Sequence, residues 1–168
     1  VQQLKAMERA LSVFDEVETE YEAISGRKYG AVSAFNTEVA DYVAVINGCT
    51  SGTMRAAARA LNREGGNFGV LAVKLYRPFP TAEVVRHLKG AKALVVMDRS
   101  LSLGAPSGPL AEDVKSALKG AGMNPPVLSV VYGIGGRDFS LVDARKVFAM
   151  AEHASSFGSE PVMYGVKA

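Results

Sequence analysis

The sequence has one cysteine, Cys49, two histidines and no tryptophan in 168 residues. A single cysteine forms no internal disulfide, and a single thiolate does not hold an iron–sulfur cluster. We therefore expect a reducing, cytoplasmic setting. His87 and His153 lie far apart, with no acidic or cysteine residue at ligand spacing, so no metal site is expected. No apolar run approaches the roughly 18 residues of a membrane span, and no signal-peptide pattern is present. The net charge of +2 is too small to argue for nucleic acid or a membrane surface, and neither is expected as a partner. It is uneven, because residues 1 to 26 carry six acids (Glu8, Asp15, Glu16, Glu18, Glu20, Glu22) against Lys5 and Arg9.

What is present is apolar sequence in short, ordered runs. Hydrophobic residues make up 48% of the chain, enough for the full core of one domain. The stretch from Phe68 to Leu110 reads as strand, proline-locked loop, short helix, strand, glycine-containing loop and the start of a second helix. Val70, Leu71, Val73 and Leu75, then Ala93 to Met97, are near-continuous apolar runs. Runs without alternation suit strands buried on both faces of a parallel sheet. Tyr42 to Ile46 and Val127 to Tyr132 repeat the pattern.

Helices are expected between these runs. Met54, Ala57, Ala58 and Leu61 form one inner face, with Arg55, Arg59 and Arg63 outward as a solvated stripe. Val114, Ala117 and Leu118 form another, and Leu141, Ala144, Val147, Phe148 and Ala151 a third. Ser140 with Asp143 resembles a capping box. Residues 27 to 35 alternate weakly and predict a short edge strand, and the tail after Ala154 is expected to be poorly ordered. The architecture predicted is three-layer α/β/α, with a five-stranded, mostly parallel sheet and one antiparallel edge strand.

The first helix stands apart. Leu4, Met7, Leu11, Phe14, Val17, Tyr21 and Ile24 recur at spacings of three and four, and Gly26 supplies a stop. It predicts a linking helix over 2–25 ahead of a single domain whose core spans about 27–153. A helical pattern already running at Val1 suggests a fragment of a longer polypeptide.

Several loops are candidates for chemistry. Gly133-x-Gly135 opens like a dinucleotide fingerprint, but position 138 is Asp and the loop follows the last strand, so a tight turn capped by Asp138 or Ser140 is favoured. Gly48 to Thr53 lies at a helix start and could hold an anion, yet it lacks a Walker lysine. Capping by Ser51 or Thr53 is the simpler reading there, and Cys49 reads as a small packing residue rather than a nucleophile. Arg77 and Arg137 each follow a buried strand and sit beside prolines or glycines. Two readings stand side by side: pairing with a carboxylate or phosphate of a ligand or neighbouring domain, or a local salt bridge, Arg77 with Asp98 or Arg137 with Asp138.

At these residues the sequence resembles the alpha chain of 2-oxoacid:ferredoxin oxidoreductases, the pyruvate synthase type in particular. The resemblance rests on Leu75-Tyr76-Arg77-Pro78-Phe79-Pro80, Asp98-Arg99, Gly104 and Gly108-Pro109-Leu110. Gly26-Arg27-Lys28-Tyr29 and Gly133-Ile134-Gly135-Gly136-Arg137-Asp138 extend it. Gly48-Cys49 departs from the family's usual Gly-Ser. The resemblance implies a transketolase C-terminal-like domain with no catalytic, cofactor-binding or metal residue of its own. It implies thiamine diphosphate and 4Fe–4S clusters elsewhere in the full enzyme, with other domains or subunits, ferredoxin and CoA as partners. The loops most open to an interdomain or ligand role are Arg77, Pro78, Phe79, Asp98, Arg99, Gly104, Gly133, Gly135, Gly136, Arg137 and Asp138. The competing expectation is a self-standing α/β module that binds a small molecule or nucleotide through one of the two glycine loops.

Overall fold

A computed structural model of the chain describes residues 1–166. The element order is α1 (Gln2–Ser25), β1 (Val32–Phe35), β2 (Tyr42–Asn47), α2 (Ser51–Arg63), β3 (Phe68–Val73), α3 (Thr81–Leu88), β4 (Ala93–Asp98), α4 (Pro109–Gly120), β5 (Val127–Tyr132), α5 (Leu141–Glu152) and β6 (Val162–Tyr164). The strands form one sheet in the order β1-β3-β2-β4-β5-β6. Every pairing is parallel except β1 with β3. The three-layer architecture is the one expected, with one strand more than the five predicted.

The apolar runs explain the layers. β3 and β4 are buried at every position, because helices cover both faces of the sheet. Alternate residues along a strand point to opposite faces, so the core divides in two. Ile46, Met54, Val95, Val130 and Phe148 pack beneath α2 and α5. Leu71, Leu88, Leu94, Leu110 and Leu118 pack beneath α3 and α4. Each buried side chain of this size contributes about 1.5–3 kcal/mol relative to exposure. The helix ends follow their sequence signals. Gly26 takes a left-handed φ of 66° and returns its N–H to the Glu22 carbonyl at 2.8 Å, a conformation in which a side chain is strained. Ser140 and Asp143 form the expected capping box.

Three features differ from the sequence reading. The tail after Ala154 carries a strand at Val162–Tyr164, since β6 pairs in parallel with β5 through Val162↔Val130 and Tyr164↔Tyr132, while residues 167–168 of that tail lie outside the described residues. Three residues are too few to show strand periodicity, and their anchor is remote: the Tyr164 hydroxyl donates to Asp143 Oδ1 at 2.8 Å. The arginine stripe of α2 is only partly solvated. Arg55 Nη2 donates to the Ser33 carbonyl at 2.9 Å and to its Oγ at 2.7 Å, and Arg59 lies 5.1 Å from the Phe35 ring centroid. Both clamp β1, a contact that helical spacing alone does not reveal. Finally, α1 buries no residue among the described residues, and its contacts with the body lie in its second half, where Tyr21 packs at a tilt on Tyr29 and the Glu18 carboxylate accepts from the Gly30 N–H.

The β6 anchor predicts an alkaline limit. Burial, and then the hydrogen bond to Asp143, push the Tyr164 phenol up to about 12. A folded pKa above the unfolded value contributes stability that is present below the unfolded pKa and lost as pH rises through the folded one. Ultraviolet titration should therefore show late-ionising tyrosine absorbance, part of which disappears in Tyr164→Phe. The wild type should lose its stability advantage over that variant as pH climbs from 10 to about 12.

Candidate functional site

The strand order reverses between β2 and β4: after β2 the chain moves outward to β3, then crosses back to β4. The carboxyl ends of neighbouring strands diverge at such a point and leave a crevice. Here the crevice is a cleft of about 370 Å³, lined by Asn47 and Gly48 after β2 and by Met97, Asp98, Arg99 and Ser100 at the end of β4, among others.

Asp98 closes its floor. The residue is 6% exposed, and its carboxylate accepts from the first turn of α4: Leu110 N–H to Oδ1 at 2.8 Å and Ala111 N–H to Oδ2 at 3.3 Å. A carboxylate at a helix N-terminus satisfies orphan amides and meets the positive end of the dipole. Gly108 passes so close that a Cβ there would fall on the carboxyl group. Its own N–H donates to the buried Ser129 Oγ of β5 at 3.1 Å. Burial pushes the Asp98 carboxyl up, against the pull of the two amides, and Asp113 adds to the rise. Alongside, Ser107 donates to the Glu112 carboxylate and accepts from Lys115 Nζ at 3.0 Å.

A second cleft of about 340 Å³ adjoins the first and shares Cys49 and Arg99 with it. Thr50 and Thr53 from the start of α2, Tyr132 from the end of β5, and the loop 136–139 complete it. Arg99 passes close to Gly133, where a Cβ would come within 3.0 Å of its Nε, and its Cζ is 5.8 Å from the Tyr132 ring centroid. Phe139 closes the opposite side, 4.9 Å from Tyr132 between centroids. Burial pushes the Tyr132 hydroxyl up, while the Thr50 hydroxyl and the Arg99 guanidinium pull it down.

The structure thus gathers Asp98, Arg99, Gly133, Gly136, Arg137 and Asp138 around one end of the sheet and separates the rest. Arg77 turns towards α4, with Nη2 2.9 Å from Asp113 Oδ2 and Cζ 4.3 Å from the Tyr76 ring centroid. Its local partner is therefore Asp113 rather than Asp98, 36 residues on in sequence. Phe79 meets Tyr76 edge-on at 6.5 Å, and Pro78 joins the two through a cis peptide with Arg77. Gly104 and Gly135 take positive φ values of 81° and 69°, with open space where a Cβ would be. Asp138 forms no ion pair with Arg137 among the described residues. Neither Ser51 nor Thr53 caps α2. His87 hydrogen-bonds Thr37 at 3.1 Å and is structural, and His153 ends α5. Cys49 is exposed rather than packed.

Sequence reasoning passed over Tyr132 and Ser129; Thr50 entered it only within the Gly48–Thr53 loop, and Gly108 only through the resemblance. Tyr132 and Ser129 read as ordinary strand residues. The available signal was their position, at or near the end of an otherwise apolar run. No group of three or more His, Cys, Asp or Glu that could hold a metal ion occurs among the described residues.

This strand order, with its reversal beside β2 and an antiparallel outer strand, defines a transketolase-like α/β domain. A split-gene transketolase aligns with TM-score 0.59 at 16% identity, over 77% of this chain and 45% of the other. The 2-oxoglutarate:ferredoxin oxidoreductase from Magnetococcus marinus aligns with TM-score 0.53 at 17% identity, over 75% of this chain and 20% of the other. Residues 40–144 match the family of pyruvate:ferredoxin oxidoreductase core domain II, and the chain belongs to that family. Among curated proteins, the pyruvate synthase subunit PorA of Thermotoga maritima is 39% identical over 99% of this chain and 42% of its own length. PorA of Methanocaldococcus jannaschii is 37% identical over 89% of this chain and 38% of its own length. A ketoisovalerate oxidoreductase subunit VorA of Pyrococcus horikoshii is 33% identical over 85% of this chain and 36% of its own length. The chain spans about two fifths of the length of these relatives.

The Asp98 contact predicts two outcomes. Gly108→Ala should displace the carboxylate from the α4 amides and cost about 1–3 kcal/mol, the penalty for buried N–H groups left unpaired; chemical denaturation measures it. The acid's raised pKa means that the folded state holds its proton more tightly than the unfolded chain. Stability from this group therefore falls as pH rises above the ordinary value of 3.8. Wild type should lose ground to Asp98→Asn over that window when melting is followed against pH. By contrast, the half-exposed Arg77–Asp113 pair should contribute about 0–1 kcal/mol, read from Arg77→Ala.

Proposed function

We propose that this chain is the non-catalytic structural and assembly domain of a thiamine diphosphate-dependent pyruvate (2-oxoacid):ferredoxin oxidoreductase. That enzyme converts pyruvate and CoA to acetyl-CoA and CO2 with reduction of ferredoxin. The observation that carries the reading is the 39% identity to a pyruvate synthase subunit along 99% of the chain. Within the chain, a single transketolase C-terminal-like domain has its core over about 27–153, with β6 added to its sheet, and α1 is the helix that links it to the remainder of the subunit.

Two features support a role in assembly rather than chemistry. The donor set for a 4Fe–4S cluster does not fit this chain, because Cys49 is its one cysteine. The described residues also offer no acidic cluster for the divalent ion of a diphosphate cofactor. On this reading thiamine diphosphate, the clusters and the sites for ferredoxin and CoA belong to other domains or subunits, and no catalytic step is assigned to residues here. The second feature is α1. Leu4, Met7, Leu11, Val17 and Tyr21 are exposed along one stripe, and such a stripe gains stability when another surface covers it.

The test compares the 168-residue chain with the full-length subunit co-expressed with its partner subunits. The chain alone should neither bind thiamine diphosphate in calorimetry nor decarboxylate pyruvate, whereas the complex should do both. Leu11→Asp with Val17→Asp should leave the melting temperature of the chain within a few degrees, because both side chains are exposed. In the full-length subunit the same pair should weaken assembly seen by sedimentation. Stoichiometric cofactor binding by the chain alone, or unchanged assembly, counts against the reading.

A further inference from the structure

The second cleft holds polar groups that the fold itself leaves without partners. Tyr132 is 1% exposed, and its hydroxyl has no hydrogen bond among the described residues. Tyr132 lines the cleft, and Thr50 and Arg99 lie near enough to its hydroxyl to lower its pKa, although no Thr50–Tyr132 contact meets hydrogen-bond geometry. A buried hydroxyl without a partner is costly, so the position calls for one. Arg99 and Arg137 line the same cleft, and neither has a carboxylate within ion-pair distance among the described residues. The Arg99 guanidinium passes close over Gly133, where a side chain would crowd it. Thr50, 8% exposed, and Thr53 add two hydroxyls at the start of α2, a helix with no acid in its first turn and no side-chain cap. Asp138 is the one acid on the wall, so the two guanidiniums leave the cleft positive.

The amides of Ser51 and Gly52 are already bonded to the carbonyls of Gly48 and Cys49. An anion here would be held by side chains, with the helix dipole as background. Its geometry can be read from the donors, which come from three directions: the end of β4, the end of β5 with its loop, and the start of α2. A carboxylate presents two oxygens in one plane, and a single guanidinium fork satisfies it. A phosphate presents three terminal oxygens in a tetrahedron and can take donors from all three sides.

We propose that this cleft binds the phosphate group of a small molecule, held by the guanidiniums of Arg99 and Arg137 and the hydroxyls of Tyr132, Thr50 and Thr53. The proposal goes beyond the assembly role and stands on different residues from it. Inorganic phosphate and a phosphate monoester offer the same oxygens, so the experiment carries both. The isotope-labelled 168-residue chain is titrated with inorganic phosphate, with adenosine monophosphate and with acetate, followed by amide and arginine side-chain nuclear magnetic resonance. Phosphate should give saturable shifts at Thr50, Thr53, Arg99 and Arg137, and acetate should not. Arg99→Gln and Arg137→Gln, both at exposed positions, should each weaken binding by about tenfold or more, the loss of one charged contact. Tyr132→Phe keeps the ring and should weaken it severalfold, with circular dichroism verifying the fold of each variant. Tighter binding of the monophosphate identifies an ester as the ligand, and equal binding identifies the free ion. The proposal is overturned if phosphate does not saturate, if acetate binds as well, or if folded arginine variants bind as the wild type does.

Discussion

The buried contact between Asp98 and the first turn of α4 is the constraint from which the sheet end takes its shape. A carboxylate taken out of water is tolerable only where donors meet it. Two amides of α4 do so, and the chain reaches them only by passing Gly108 against the carboxyl group. Ser129 of β5 then receives the Gly108 N–H. One acid thus ties β4, α4 and β5 together, and through them sets where the next residue, Arg99, leaves the sheet. The cleft at the strand reversal and the neighbouring cleft at Tyr132 both depend on that exit.

The distribution of apolar surface separates two kinds of work. The two core clusters close within the α/β body, one on each face of the sheet. The stripe of α1 takes no part in either. Its helix is regular and properly terminated at Gly26, so its sequence specifies a helix without specifying a surface inside this chain for it to lie on. Membership of the pyruvate:ferredoxin oxidoreductase core domain II family and the share of the relatives' length that the chain covers fit this division.

Legibility in the sequence followed the physics of each feature. Buried parallel strands were readable because continuous apolar runs such as Ala93 to Met97 have few other uses, and the capping box at Ser140 was readable because it is local. β6 was not, since its anchor Tyr164–Asp143 spans 21 residues and its run is only three long. The roles of Arg55 and Arg59 were hidden for the same reason: helical spacing shows which way a side chain faces but not that β1 lies there to receive it. At the sheet end, the charged and glycine residues and the Gly48–Thr53 loop stood out in the sequence, while Tyr132 and Ser129 did not. Each of those two has an ordinary structural reading, and only the reversal of strand order between β2 and β4 brings them beside Arg99 and Gly108.

The sheet's two margins carry a consequence for how other polypeptides can meet this one. One margin is the four-residue antiparallel β1, gripped from the side by Arg55 and Arg59. The other is the three-residue β6, pinned by a phenol. Short, occupied margins offer few free backbone groups in register, which removes the commonest route to uncontrolled strand addition. Contact with a neighbour is thereby directed away from main-chain pairing and onto side chains, where shape and charge discriminate between partners. A unit built this way can be inserted into a larger machine without becoming a template for its own polymerisation.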